Sequence, residues 1–161
     1  MKHYVNLGVA CSVMLAITSA SADPTSQAEV DRMFPLPERF GGFDLFAART
    51  LATGAGAVID ATLLDYSSAR FRNVRAVLHL DWRSWHRDFY ICGEINSKNG
   101  MGGYTGWQSF VVTEDKSGLP RFFQQRELAG AVLTAAICTR GREDRFVSDT
   151  SVDYAKILSG R

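Results

Sequence analysis

The chain has 161 residues, of which 46% are hydrophobic and 22% are charged, with 18 basic and 17 acidic side chains. A chain of this length can bury one hydrophobic core and form a single domain. Nucleic-acid-binding proteins carry a concentrated basic surface, but the formal net charge here is only +1. The arginines of SARFRNVR, Arg70, Arg72 and Arg75, are typical of solvated side chains beside a strand. We therefore expect no nucleic-acid partner.

Residues 1–22 have the organisation of a secretory signal peptide. A basic start is followed by an apolar run from Val9 to Ile17 and by small residues that form a cleavage pattern ending at Ala22. Cleavage there leaves 161 − 22 = 139 residues. No later stretch approaches the about 20 consecutive apolar residues of a membrane-spanning helix. We expect a periplasmic or secreted mature chain without a transmembrane segment.

Cys11 allows another interpretation, as the lipid-attachment site of a bacterial lipoprotein. Such sites have a leucine-like residue three positions before the cysteine, where this chain has Gly8. Cleavage at Cys11 would also leave the apolar VMLAI on the mature protein. A signal peptide cleaved after Ala22 is the preferred interpretation.

Cys92 and Cys138 are the cysteines that remain after cleavage. In an oxidising compartment such a pair predicts a disulfide. The chain-entropy estimate for a loop of 138 − 92 = 46 positions gives a stabilisation of about 4 kcal/mol as an upper figure. A catalytic thiol is the alternative, but it needs a nearby histidine base that the sequence does not indicate.

The chain divides into a signal peptide over residues 1–22, a polar leader over 23–40, a single domain over 41–141 and a polar tail over 142–161. The tail ends in VDYAKIL, which favours a short helix. For the domain we predict an α+β fold. Its small antiparallel sheet of three to four strands packs with a helix from the N-terminal half and a later helix, and one disulfide joins the elements.

Helical spacing predicts the first helix in GAVIDATLLDYSSARF, with one face formed by Val58, Ile59, Thr62 and Leu63. It should end near residues 65–68, where side chains that compete for backbone hydrogen bonds cluster. The preceding RFGGFDLFAARTLATG favours a helix less clearly. The later helix is predicted in ELAGAVLTAAIC, with its apolar positions at Leu128, Val132, Leu133, Ala136 and Ile137.

The hydrophobic period changes to two from Val74 onward, which is typical of half-buried strands. In NVRAVLHLDW one face is formed by Val74, Ala76, Leu78 and Leu80. RDFYICGEI alternates in the same way, with Phe89, Ile91 and Ile95 opposite Tyr90, Cys92, Glu94 and Asn96. GWQSFVVTE predicts a third strand and PRFFQQ a fourth.

The segment NSKNGMGGYTG links the second and third strands and is longer and richer in glycine than a tight hairpin requires. One interpretation is a shaped hairpin loop, in which Glu94 and Asn96 bond to the loop's backbone amides, because buried polar groups need partners. The other is a polar platform for a ligand. The candidate ligand- or partner-binding residues are Glu94, Asn96, Lys98, Asn99, Tyr104 and Trp107.

Two separated stretches resemble the paired signature of a family of small secreted bacterial proteins of unknown function. LLDYSSARFRNVRAV matches an LxDxxSAxFRNV turn, and CGEINSKNGMGGYTGWQSF matches a CGxxNxKNxxGGYxG hairpin motif. The likeness covers about residues 57–112 and keeps the two motifs in order. Tyr66 stands where the family usually has proline, so the turn after Asp65 departs from the pattern. The resemblance implies the domain and its export, and it carries no activity.

An enzyme would need a base, a nucleophile or a metal set in convergent positions. His79 and His86 could be combined with Asp81 and Glu94 as metal ligands, but HLDWRSWH has no known ligand spacing. We therefore expect no metal and no cofactor. A small periplasmic hydrolase that uses Glu94 and Asp81 is an alternative if the fold brings them within the ~5–9.5 Å of glycosidase chemistry.

The preferred function is a non-catalytic binding or interaction module of the cell envelope. Trp, Tyr and Arg anchor interfaces, and the candidate anchors are Tyr104, Trp107, Trp82 and Trp85, with Arg83 and Arg87 around them. The partner would be a protein or another envelope component. A structural envelope protein without a discrete ligand is the remaining alternative.

The first prediction concerns export. Protein purified from its native host should begin at Asp23, because the small residues ending at Ala22 form the cleavage site. Intact mass and N-terminal sequencing check this. A lipid-modified Cys11 would contradict it.

Overall fold

The computed structural model describes residue 32 and residues 41–81, 86–139 and 146–160. Some features expected from the sequence lie outside the described residues: the signal peptide, Cys11, the polar leader apart from Arg32, and the anchors Trp82, Arg83 and Trp85.

The described residues form one antiparallel sheet with helices on both faces. In chain order the elements are α1 (Gly42–Thr62), a 3₁₀ turn (Tyr66–Ser68), β1 (Arg70–Asp81), β2 (His86–Asn96), β3 (Gln108–Glu114), β4 (Pro120–Gln124), α2 (Leu128–Leu133), a π turn (Thr134–Cys138), β5 (Phe146–Asp149) and α3 (Tyr154–Ser159). The sheet order is β4-β3-β2-β1-β5. The predicted α+β class is confirmed, with five strands instead of three to four.

β1 and β2 are the longest strands and pair along their length. The alternation predicted for β1 is confirmed, because Ala76 and Leu78 are buried on the face that α1 covers. A bulge adds one residue to β1 between Arg72 and Arg75. Close packing near the bulge requires glycine at position 93, since a Cβ there would lie 2.9 Å from the Phe110 ring and 3.0 Å from Val74 Cγ2.

α1 is one continuous helix of 21 residues. It includes most of RFGGFDLFAARTLATG, whose helical periodicity is less clear, and the start of GAVIDATLLDYSSARF, whose periodicity is clear. The residues of its buried face are Ala48, Leu51, Ala52, Ala55 and Ile59. The predicted face is confirmed at Ile59, and Leu63 packs against the core from just beyond the helix. It is wrong at Thr62, which is exposed and whose hydroxyl donates to the Val58 carbonyl at 2.7 Å. Alanine gives a weak hydrophobic signal in a sequence, yet its small side chain lets the helix lie close to the sheet.

The sheet has a second apolar face, which α2 and the π turn cover. Val77, Cys92 and Val111 are buried there against Ile137 and Phe146. The helical path predicted for ELAGAVLTAAIC is confirmed, although its last turn is a π turn. Two of the apolar positions expected to pack are instead exposed, with Leu128 at 85% and Val132 at 60%.

The disulfide joins this outer layer to the middle of the sheet. The Sγ atoms of Cys92 and Cys138 are 2.01 Å apart and their Cα atoms 5.6 Å apart, which confirms the predicted pairing. The Arg75 guanidinium, on the neighbouring strand, donates to the Cys138 carbonyl. The π turn is thus held to both central strands.

β5 and α3 lie in the stretch expected to be a polar tail. β5 pairs with β1 from Ala76 to His79, and α3 confirms the short helix expected in VDYAKIL. Tyr154 of α3 is fully buried and donates to Asp149 at 2.8 Å. The domain therefore extends past the boundary near residue 141. Among the described residues, no helix has the length and apolar character to span a membrane.

The second prediction concerns the contact between α2 and β4. A Cβ on Gly130 would overlap the Gln124 carbonyl, so we expect Gly130→Ala to lower the free energy of unfolding by about 2 kcal/mol or more. Urea denaturation measures it.

Gly42→Ala is the matched control, because a Cβ at the start of α1 meets nothing within 4 Å. It should leave the free energy of unfolding unchanged or raise it slightly. Equal behaviour of the two variants would contradict the close approach of α2 to β4.

Candidate functional site

The two motif stretches lie side by side because β1 pairs with β2. Arg70 lies opposite Asn96, and Arg72 lies opposite Glu94. We call the area formed by both stretches the motif surface; its residues are Leu64, Arg70, Arg72, Asn73, Glu94, Lys98, Met101, Tyr104 and Trp107.

The turn after Asp65 supports one side of the motif surface. Asp65 Oδ1 accepts from Ser67 Oγ at 2.7 Å and from the Ser68 amide at 3.1 Å. These bonds lower the pKa of Asp65, and the bond from the Ser67 hydroxyl has the largest effect. Tyr66 donates its hydroxyl to the Leu158 carbonyl. This bond ties the turn to α3.

The glycine-rich loop is held by two asparagines. Asn99 Oδ1 accepts from the amides of Met101 at 3.0 Å and Gly103 at 3.1 Å. Asn96 Oδ1 accepts from the Gly106 amide at 3.1 Å. The loop also contacts the 3₁₀ turn, since the Tyr104 hydroxyl lies 3.3 Å from the Ser68 carbonyl oxygen. The shaped-loop interpretation is thus confirmed for Asn96, and Asn99 has the same role.

Glu94 does not bond to the loop, so that part of the interpretation is wrong. Its carboxylate accepts from Arg72 at 3.0 and 3.2 Å and from Asn73 Nδ2 at 2.6 Å. Asn73 has φ of 53°, a left-handed conformation that asparagine tolerates better than most residues. The bonds from Arg72 and then Asn73 lower the pKa of Glu94. The bulge creates this cluster, and strand alternation alone does not reveal it.

Cations lie against both aromatic rings of the motif surface. The Arg72 guanidinium carbon is 4.1 Å from the Trp107 ring centroid, and that of Arg70 is 4.7 Å from the Tyr104 centroid. Lys98 Nζ is 5.7 Å from the same Tyr104 centroid. Such contacts are worth about 0.5–1 kcal/mol each at exposed sites. The aromatic candidates are therefore oriented by arginines that the sequence had suggested were only solvated.

Apolar side chains protrude at the loop tip beside these cations. Met101 is 92% exposed, Leu64 is 82% exposed and Tyr104 is 41% exposed. A Cβ on Gly100 would lie 3.8 Å from Leu64 Cδ1, so Leu64 adjoins the loop. The surface thus combines apolar, aromatic and cationic groups, a composition suited to contact with another molecule.

The paired-carboxylate arrangement is not formed. Glu94 lies opposite Arg72, whereas Asp81 lies opposite His86 at the other end of the β1–β2 pair. At about 3.3 Å per strand residue, the backbone positions of Glu94 and Asp81 are about 26 Å apart along the strands, far beyond glycosidase geometry. The hydrolase alternative based on this pair is therefore wrong.

The histidines lie away from the motif surface. His79 Nδ1 is 3.4 Å from one Asp88 oxygen, and His86 Nε2 is 3.2 Å from the other. Within the part of the chain that the structure describes, no three His, Cys, Asp or Glu side chains are arranged to hold a metal ion.

Comparison with protein-family models, with curated proteins and with solved structures finds no match for the chain.

The third prediction concerns Glu94. We expect Glu94→Gln to lower the free energy of unfolding at pH 7 by about 0.5–1 kcal/mol, because its partly exposed ion pair with Arg72 is lost. A lowered folded-state pKa stabilises the protein above the ordinary value of 4.5, and this stabilisation disappears as the pH falls through the folded-state pKa. The difference from wild type should therefore shrink between pH 5 and pH 3 in urea denaturation.

Glu114→Gln is the control, since Glu114 is exposed at the end of β3 and forms no ion pair among the described residues. A Glu94→Gln deficit that stays constant down to pH 3 would contradict the assigned role of the carboxylate.

Proposed function

We propose that the protein is an exported, non-catalytic binding module of the bacterial cell envelope, and that the motif surface contacts its partner. The observation that carries this proposal is the convergence of both motif stretches on one exposed area. There, Tyr104 and Trp107 are held by cations, and apolar side chains protrude beside them.

Three features support export. The N-terminal sequence has the form of a signal peptide. The Cys92–Cys138 disulfide suits an oxidising compartment. The resemblance of both motif stretches to a family of small secreted bacterial proteins points the same way.

The internal bonds of the motif surface favour binding over catalysis. The Glu94 carboxylate is occupied by Arg72 and Asn73, and the Asp65 carboxylate is occupied within its own turn. The outward groups are aromatic, apolar and cationic. Trp, Tyr and Arg side chains dominate binding energies at protein interfaces, and a loop fixed by asparagines loses little conformational freedom on binding.

The fourth prediction tests the surface. The tagged mature protein, cross-linked in an envelope extract of its host, should capture a defined partner that Tyr104→Ala and Met101→Ser each lose. Truncating a residue that dominates an interface costs about 2 kcal/mol or more, which is roughly thirtyfold in affinity. Quantitative mass spectrometry of the captured proteins measures it.

Val132→Ser is the matched control, because Val132 is also apolar and 60% exposed but belongs to α2. It should retain capture. Loss of the partner in the Val132 variant, with capture intact in the Tyr104 variant, would move the interface to α2. If all variants capture the same proteins as a blank resin, the protein has no discrete partner and the structural-protein alternative is favoured.

A further inference from the structure

The edge of β1 is open along its first half. β5 pairs only with residues 76–79 of β1, and after Asp149 the chain turns away and enters α3. Among the described residues, no strand pairs with residues 70–75 on that side, and their main chains make no hydrogen bond outside the sheet. Every second residue of such an edge directs its N–H and C=O groups outward.

A cleft of about 420 Å³ adjoins this open edge. One wall is the start of β1, and the other is the outward side of α3; the lining residues are Ala69, Arg70, Phe71, Asp153, Ala155, Lys156 and Ser159. The bulge at Asn73 interrupts the edge beyond Arg72. The part of the edge before the bulge, from Arg70 to Arg72, is therefore the part that can pair with another strand.

The acids near this cleft are engaged inside the protein. Asp153 accepts from the Lys156 amide at 3.0 Å and caps α3, and Glu94 is bonded to Arg72 and Asn73. By contrast, the side chains of Arg70, Lys98 and Lys156 form no ion pair within the described ranges. The Asp153 carboxylate keeps its negative charge in the lining, and Lys98 lies close enough to Asp65 to help lower the pKa of that carboxyl. With Arg70 and Lys156 against Asp153, the lining of the cleft carries one net positive charge.

Arg70 connects the cleft with the motif surface. Its guanidinium carbon lies 4.7 Å from the Tyr104 ring centroid, and a guanidinium has five N–H donors in a planar fork. Its side chain makes no hydrogen bond to another described residue. Arg70 is therefore oriented by Tyr104 and free to donate to a carboxylate.

We propose that the cleft binds an extended acidic segment of a partner protein, which adds as a short strand to the edge of β1 at residues 70–72. Main-chain hydrogen bonds to the open edge hold the segment, and its carboxylates pair with Arg70 and Lys156. This inference rests on the proposed function, because Arg70 belongs to the motif surface. An open strand edge presents main-chain donors and acceptors that an extended peptide can pair with and a membrane surface cannot.

The test uses a fluorescein-labelled octapeptide in which pairs of threonines alternate with pairs of glutamates, so that carboxylates lie on both faces of the bound strand, with binding followed by fluorescence anisotropy at low salt. We expect the wild-type mature protein to bind it and to ignore the threonine–lysine counterpart. Arg70→Gln and Lys156→Gln should each weaken binding about tenfold, as for a lost charge-assisted hydrogen bond. Lys116→Gln, in the exposed turn between β3 and β4, is the matched control and should bind as wild type.

Backbone N-methylation separates strand addition from simple charge attraction. Two versions of the threonine–glutamate peptide are compared, one N-methylated on the odd-numbered residues and the other on the even-numbered residues. Because only one of these sets of amides bonds to the β1 edge, one version should bind about fivefold or more weakly than the unmethylated peptide. Amide hydrogen exchange at residues 70–72 should slow when the unmethylated peptide binds. Equal binding of both methylated peptides would overturn strand addition.

Other outcomes overturn the proposal in different ways. Failure of the acidic peptide to bind, or equal binding by Lys156→Gln, would exclude the cleft. If the protein binds vesicles with anionic phospholipid, or inorganic phosphate, but not the peptide, then Arg70 and Lys156 recognise a phosphate group and not an acidic peptide. In each case the proposed function survives if Tyr104→Ala still loses the captured envelope partner, so the two proposals fail separately.

Discussion

The antiparallel pairing of β1 with β2 is the interaction on which the rest of the structure depends. These strands are the centre of the sheet, and their two faces carry the two apolar layers, one under α1 and the other under the π turn. The same pairing sets Arg72 opposite Glu94 and Arg70 opposite Asn96. Core and motif surface therefore share one register, and a slip of one residue would send every side chain of β1 to the opposite face.

The two layers are held in different ways. Under α1 the contact is close, because the helix presents alanines between Leu51 and Ile59 to the sheet. On the other face the outer layer is short: α2 and the π turn each have few residues, and the buried cluster is small. There the disulfide from Cys92 to Cys138 and the close approach of Gly130 to β4 supply the connections that a longer helix would obtain from packing.

The motif surface shows how a local irregularity assembles a site. The bulge in β1 places Asn73 in a left-handed conformation beside Glu94. Glu94 in turn holds Arg72, whose guanidinium lies over Trp107. Binding at this surface would thus use aromatic groups positioned by a chain of contacts that begins in the backbone of a single residue.

The sequence by itself determined the α+β class, the disulfide, the faces of the central strands and the position of the later helices. These follow from signals within a few residues: alternation at Val74 to Leu80, the paired cysteines, and the apolar spacing after Leu128. It also determined which stretch forms the candidate site. Only the tertiary structure decided that Asn96 supports the loop whereas Glu94 faces Arg72, that Asp81 is far from Glu94, and that residues 146–149 complete the sheet. The physical reason is that these outcomes depend on strand register, on one bulge and on long-range pairing. The partner of each residue is distant along the chain, so the sequence around that residue contains no pattern that indicates it.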